Sequence, residues 1–138
     1  TLIGLTALPG DELDDTSTVI VLPGDTPLLR TETIEALVNA HESSGNAATV
    51  LTAVVESPTG YGRIVRARDG RVMKIVEQRD AVTEELAIHE INTGIFAFQR
   101  NLLSPALRRV SNKNSQDEYY LTDTLEILSG MGPPRWER

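Results

Sequence analysis

Short, unbroken apolar runs alternate along this chain with segments whose apolar residues recur every three or four positions. Thr18-Val19-Ile20-Val21-Leu22 is the first such run. It is continuous and β-branched, as expected of a strand covered on both faces in a parallel sheet. Pro23-Gly24-Asp25 ends it sharply. Downstream, Ile34, Leu37, Val38 and His41 share one helical face, with Glu32 and Glu35 near the positive N-terminal end. Ser43 to Asn46, containing Gly45, closes that helix, and Ala47 to Val55 reads as a second buried strand. Strand, helix, strand is a βαβ unit, which predicts an α/β fold with a mainly parallel sheet.

A hairpin follows. Asp69-Gly70 is a two-residue turn signal between Arg63 to Arg68 and Arg71 to Glu77. This register sets Arg68 opposite Arg71, Ile64 opposite Ile75 and Gly62 opposite Glu77. It also places Gly62, Ile64 and Arg66 on one face with Met73, Ile75 and Glu77. Asp80 to Glu90 is polar and reads as a loop with one helical turn, and Ile91 to Phe98 as another strand. Asn101 is expected to cap a helix through Val110, with Pro105 in its first turn, where a missing N–H costs little. Ser111 to Gln116 is a polar loop, and Thr122 or Asp123 caps a last helix bearing Leu125 and Leu128. Residues 1–17 form a poorly defined segment and 130–138 (GMGPPRWER) an irregular tail, both expected to be disordered, leaving 18–129 as the domain.

Composition narrows the function classes. A chain of 138 residues fits one domain. Its formal net charge of −7 argues against nucleic acid, whose phosphates are held by clustered Lys and Arg. No apolar run approaches the roughly 20 residues of a membrane helix, and no basic segment precedes one as in a secretory signal. The lack of cysteine excludes disulfides and thiolate metal sites and fits the cytoplasm. An anionic ligand would need a local basic group or a metal to offset the acidic background.

Four segments carry polar residues where chemistry is possible. In Gly24-Asp25-Thr26-Pro27-Leu28, Asp25 sits at a strand outlet, where it serves either as a metal-binding carboxylate or as part of a tight turn. In Pro58-Thr59-Gly60-Tyr61-Gly62-Arg63-Ile64, the glycines permit close approach of a ligand or merely a flexible corner. Glu77, facing bare Gly62, is either a sugar-hydroxyl acceptor or a solvated charge. Asn92, in Glu90-Ile91-Asn92-Thr93-Gly94, must bond the fold's own backbone or a ligand. The run Asn112 to Asp123, with Tyr119, Tyr120 and Thr122, either rims a pocket or orders a loop. No Gly-x-Ser-x-Gly elbow and no zinc-spaced histidine pair occurs.

Taken in order, LPGDTPLL, PTGYGRI, IVEQRDA, EINTGIFAF and NKNSQDEYYLTD resemble the N-acetylglucosamine-1-phosphate uridylyltransferase domain of the bacterial bifunctional enzymes that make UDP-N-acetylglucosamine. Relatives acting on other hexose 1-phosphates carry Glu-Lys-Pro where this chain has Glu77-Gln78-Arg79-Asp80. The resemblance implies a Rossmann-like sugar nucleotidyltransferase fold and Mg²⁺-dependent transfer of UMP from UTP to N-acetylglucosamine 1-phosphate, in the cytoplasm. It implies that Asp25 is a catalytic Mg²⁺ ligand, with Pro23 and Gly24 also against the nucleotide. Pro23 stands where the family often has tyrosine. Gly62, Glu77 and Asn92 match positions holding the sugar, with Tyr61 close by, and Tyr119 and Thr122 match residues near the sugar or phosphate. The family's glycine-rich LxAGxGTRM loop and hexapeptide-repeat acetyltransferase domain find no match here. The expectation is therefore a truncated or frameshifted domain, incomplete at its N-terminal side, impaired alone and prone to self-association through an exposed sheet edge. The alternatives are a non-catalytic remnant, a sugar-nucleotide-binding subunit or, more weakly, an unrelated nucleotide-binding α/β module.

Overall fold

The computed structural model describes residues 16–26 and 28–130. The chain runs β1 (Thr18–Val21), α1 (Thr31–Ser44), β2 (Ala48–Val54), β3 (Arg63–Arg66), β4 (Val72–Val76), α2 (Thr83–Leu86), β5 (Glu90–Gln99), α3 (Arg100–Arg109) and α4 (Asp123–Gly130). Each follows from local sequence. The α1 helix stops where Gly45 enters the left-handed region at φ 64°, a conformation glycine adopts without a Cβ penalty. The short α2 turn is held by Glu85, whose carboxylate accepts the Val82 N–H at 3.0 Å.

The ten-residue β5 organises the sheet. Along one edge it pairs with β2, from Ala48↔Phe98 to Val54↔Glu90. Along the other edge β1 and β3 lie end to end, β1 from Thr18↔Gln99 to Val21↔Phe96 and β3 at Arg63↔Ile91. The β4 strand lies outside β3. Alternation along β5 then builds two cores. Phe96 and Phe98, with ring centroids 5.6 Å apart, point to a cluster containing Ile64, Ile75, Leu103, Ala106, Leu125 and Leu128 from β3, β4, α3 and α4. Ile95 and Ala97 point the other way, to Leu37 of α1, with Ile20 and Leu51 packed around them. Helices thus cover both faces, as expected of an α/β domain.

The strand pairings differ from the parallel sheet expected: every pairing among the described residues is antiparallel. The βαβ logic still holds for direction, because β1 and β2 both oppose β5 and so run parallel to each other. The β5 strand has slotted between them. Covered on both faces, it reads as an apolar run with no mark of its direction.

Two local expectations are corrected. The hairpin pairs Arg63↔Val76, Ile64↔Ile75 and Val65↔Lys74 as expected, then shifts to Arg66↔Val72. Its turn is a three-residue loop: the Ala67 N–H bonds the Arg71 carbonyl at 2.9 Å, and Gly70, at φ 87°, donates to the Ala67 carbonyl at 3.0 Å. Arg68 therefore does not face Arg71, and Arg66 does not pair with Met73. Gly70 takes the left-handed position of a type I turn, and the extra residue is absorbed as a bulge. The α3 helix begins at Arg100 after Gln99, one residue before the expected cap. Pro105 thus lies past the first turn and withdraws a hydrogen bond from the carbonyl of Asn101, an exposed residue that water can satisfy. The expectations of disorder for 1–17 and 130–138 fall mainly outside the described residues.

His41, buried in α1, has Nδ1 2.8 Å from the Thr49 hydroxyl on β2. Burial holds its pKa below the ordinary 6.5, against a weaker opposing pull from Glu42. A histidine depressed on folding contributes stability that is whole above its unfolded pKa and is lost as pH falls through the folded one. We expect the melting temperature to fall between about pH 7 and about pH 5, and His41→Gln to flatten that slope. Thermal unfolding followed by circular dichroism across this range checks it.

Candidate functional site

The site begins with an irregularity in β5. Between the pairs Val50↔Phe96 and Thr52↔Asn92 the register shifts, so that β5 carries extra residues around Gly94. Gly94 sits at φ 83°. Two side chains hold the distortion. The Asn92 carbonyl Oδ1 accepts the Gly94 N–H at 2.8 Å, and the Thr93 hydroxyl donates to the Leu51 carbonyl at 2.6 Å. A bulge of this kind re-aims side chains at a sheet's end. Asn92 thus bonds its own backbone through Oδ1, while its Nδ2 makes no hydrogen bond among the described residues.

Gly62 lies beside this bulge: its carbonyl accepts the Asn92 N–H at 2.9 Å. Glu77 stands opposite, as the register predicts. A Cβ added to Gly62 would come 3.4 Å from both carboxylate oxygens of Glu77 and 3.0 Å from Ile75 Cγ2. The space over Gly62 is therefore no deeper than a methyl group before Ile75 and Glu77 are met, and is not a sugar-sized gap. Thr122, at the residue before α4, turns its hydroxyl to Glu77 Oε1 at 3.2 Å.

Pro23, Gly24 and Asp25 follow β1 at the same end of the sheet. The Pro23 ring packs on Gly94, with Cγ 3.0 Å from where a Cβ would lie. Asp25 is exposed, and its carboxylate has no hydrogen bond or ion pair among the described residues. No cluster of three potential metal-ligating side chains occurs among those residues. A single exposed carboxylate is a ligand of the type Mg²⁺ takes together with water and phosphates. Tyr61 is half-exposed beside Gly62, whereas Tyr119 is 73% exposed and tied to none of these residues by a described bond.

Residues that sequence reasoning passed over join these parts. The turn Glu77-Gln78-Arg79-Asp80, closed by the Asp80 N–H on the Glu77 carbonyl at 3.0 Å, makes contacts in several directions. Gln78 Oε1 accepts the Gly60 N–H at 3.1 Å, Arg79 donates to Gln116 Oε1 at 3.1 Å, and Asp80 accepts the Ser115 N–H at 2.8 Å. Gln116 in turn donates to the Tyr120 hydroxyl at 2.6 Å. The Ser115 amide holds the Asp80 carboxyl below the ordinary carboxylate range. Nearby, burial and then Glu126, Glu77 and Asp80 hold the Asp123 carboxyl above it. The signal that could have found this hub was a polar Gln-Arg-Asp turn following a buried strand, with a long amide-rich loop downstream to receive it.

The nucleotidyl transferase family model matches residues 6–135. The chain belongs to that family. It is 56% identical over 113 residues to the bifunctional protein GlmU of Lactobacillus gasseri, covering 82% of this chain and 24% of the relative. Against GlmU of Bacillus cytotoxicus it is 54% identical over 119 residues, 86% of this chain and 26% of the relative. The chain thus spans about a quarter of the length of these curated relatives. Among solved structures, a protein assigned as a glucose-1-phosphate thymidylyltransferase from Bacillus anthracis, in complex with sucrose, superposes with a TM-score of 0.62 at 19% identity, covering 85% of this chain and 44% of that one. UDP-glucose pyrophosphorylase complexed with UDP-glucose gives 0.59 at 12% identity, covering 83% and 42%. Both show the same sugar nucleotidyltransferase fold, so the architectural type expected from sequence stands.

Within this nucleotidyl transferase domain the two glycines should respond differently to alanine. At Gly94 a Cβ meets left-handed strain of about 1–2 kcal/mol together with the Pro23 ring. At Gly62, whose backbone is not left-handed, it meets Ile75 Cγ2 at the same 3.0 Å and the Glu77 oxygens at 3.4 Å, so the backbone strain sets the two apart. We expect Gly94→Ala to lower the urea midpoint more than Gly62→Ala, with both variants folded.

Proposed function

We propose that this chain holds the sugar side and one metal ligand of a uridylyltransferase site, acting in the cytoplasm on UTP and N-acetylglucosamine 1-phosphate with Mg²⁺. The observation that carries the reading is the meeting of Glu77, Gly62, Thr122 and Asn92 beside the outlet of β1. The Glu77 carboxylate lies over the bare face of Gly62, Thr122 bonds Glu77, and Asn92 bonds Gly62. Glu77 retains lone pairs for sugar hydroxyls, and Asn92 Nδ2 offers a donor for a carbonyl such as the acetamido oxygen. Pro23 and Gly24 would flank the nucleotide. Tyr61 would cover the sugar, and Tyr119 would border the site from the loop before α4.

The chemistry consists of alignment and charge neutralisation. The phosphate oxygen of the sugar attacks the α-phosphorus of UTP, the bond to the β-phosphate oxygen breaks, and pyrophosphate leaves. The attacking oxygen is already ionised, so no protein base is required. Asp25 would hold Mg²⁺, which when bound neutralises phosphate charge against the acidic background. The residues of the sugar subsite bind and orient; they do not enter the covalent change.

The test is calorimetric titration with N-acetylglucosamine 1-phosphate, alongside pyrophosphate release on adding UTP and Mg²⁺. Loss of hydrogen bonds from a charged acceptor costs about 1.5–3 kcal/mol, so Glu77→Ala should weaken sugar phosphate binding by roughly ten- to a hundredfold. Asp25→Ala should leave metal-free binding near wild type and abolish any pyrophosphate release. Sugar phosphate binding without release would favour a sugar-nucleotide-binding subunit. Unchanged affinity in Glu77→Ala would sink the site.

A further inference from the structure

Arg63 is 2% exposed and the largest fully buried side chain among the described residues. Its cross-strand neighbours are apolar, Val76 on β4 and Ile91 on β5. One guanidinium nitrogen donates to the Tyr61 carbonyl. The buried Nε has no partner, and the group forms no ion pair among the described residues. Three other cations of the same hairpin are matched: Arg66 meets Glu90, Arg71 meets Asp69, and Lys74 meets Glu85. A buried, under-satisfied cation packed against apolar neighbours is unfavourable compared with a well-packed aliphatic side chain. Packing therefore does not account for Arg63.

What it grips does. Tyr61 lies between two glycines, and Gly60 takes φ 90°, so its flanking peptides are among the freest to rotate. The 58–62 segment is pinned at four places. Tyr61 N–H bonds the Pro58 carbonyl at 3.1 Å, Gly60 N–H bonds Gln78, Gly62 carbonyl takes the Asn92 N–H, and Tyr61 carbonyl takes Arg63. The last bond fixes the plane of the 61–62 peptide. In a trans peptide the N–H opposes the C=O, so holding the Tyr61 carbonyl on the guanidinium turns the Gly62 N–H away from it. That N–H has no partner among the described residues. A charged donor holds the carbonyl more firmly than a neutral one would.

We infer that Arg63 is a positioning residue: by gripping the Tyr61 carbonyl it orients the 61–62 peptide and sets Gly62 against Asn92 and Glu77. Its effect on ligand rests on the sugar phosphate reading above, whereas its effect on the loop does not. Both are tested in the full chain with Arg63→Met, which keeps bulk and removes the donors, and Arg63→Lys, which keeps a charged donor. Amide hydrogen exchange by NMR should show protection at Asn92 and Gly60 falling at least tenfold in Arg63→Met, with the Phe96 and Phe98 amides unchanged and Arg63→Lys partly restored. Affinity for N-acetylglucosamine 1-phosphate should fall at least tenfold in Arg63→Met and less in Arg63→Lys. Should Arg63→Met not fold, Arg63→Lys decides through the same amides, with a smaller loss expected at Asn92 and Gly60. A folded variant with unaltered protection at those amides overturns the inference, as does lost protection with unaltered sugar phosphate affinity. Failure of the wild-type chain to bind the sugar phosphate overturns the functional reading instead, and exchange alone then decides for Arg63.

Discussion

The distortion of β5 at Gly94 is the constraint on which the rest of the site depends. Every other strand except β4 pairs with β5 directly, so a shift in its register is felt on both edges. On one edge the extra residues are taken up against β2, where the Thr93 hydroxyl caps the Leu51 carbonyl that the broken ladder leaves over. On the other edge the bulge falls in the space between β1 and β3, which share that edge end to end. Beside it the Gly62 carbonyl takes the Asn92 N–H, and the Pro23 ring packs on Gly94.

The second organising feature is the turn at Glu77 to Asp80. It collects segments far apart in sequence, and it does so with side chains of modest individual worth. Exposed hydrogen bonds such as Arg79 to Gln116 contribute little to stability alone. Their value is geometric. With Gln78 on the glycine segment and Asp80 on Ser115, the turn sets the distance between the loop of residues 58–62 and the loop before α4. Glu77 is thereby presented between them with Thr122 on one oxygen. The Asp123 carboxyl is held above its ordinary range first by burial and then by repulsion from Glu126, Glu77 and Asp80. That repulsion is tolerated where solvent reaches the groups, and an anionic ligand placed here would need compensating positive charge.

Much of this was legible in the residues. Apolar periodicity located α1, β2, β5 and both faces of the core. Hairpin arithmetic placed Glu77 across from Gly62, because side chains alternate and the pairing was nearly regular. What failed did so for identifiable reasons. Asp69-Gly70 has the composition of a two-residue turn, but a glycine in the left-handed position serves equally well at the end of a three-residue loop. Strand direction is not written in a strand buried on both faces. The bulge was invisible because Asn92, Thr93 and Gly94 each suit an ordinary strand end, and only their joint bonds to backbone reveal the distortion. Arg63 was hidden for the opposite reason: an arginine in a hairpin reads as a solvated charge, and its burial depends on what later segments cover it.

Pro23 shows how the two halves of the site are joined. Extending the β1 register past Val21↔Phe96 brings Pro23 level with Gly94, and the ring fills the volume that a side chain at Gly94 would need. Proline has no N–H to donate, so it ends the ladder there without leaving a donor unpaired. The outlet of β1, carrying Asp25, is thus seated directly on the bulge that aims Asn92. A change at either Pro23 or Gly94 must move both the carboxylate side and the amide side together. The contact is a few atoms wide, yet it makes the Asp25 end and the Asn92 end one mechanical unit, because close-packed neighbours transmit displacement with little give.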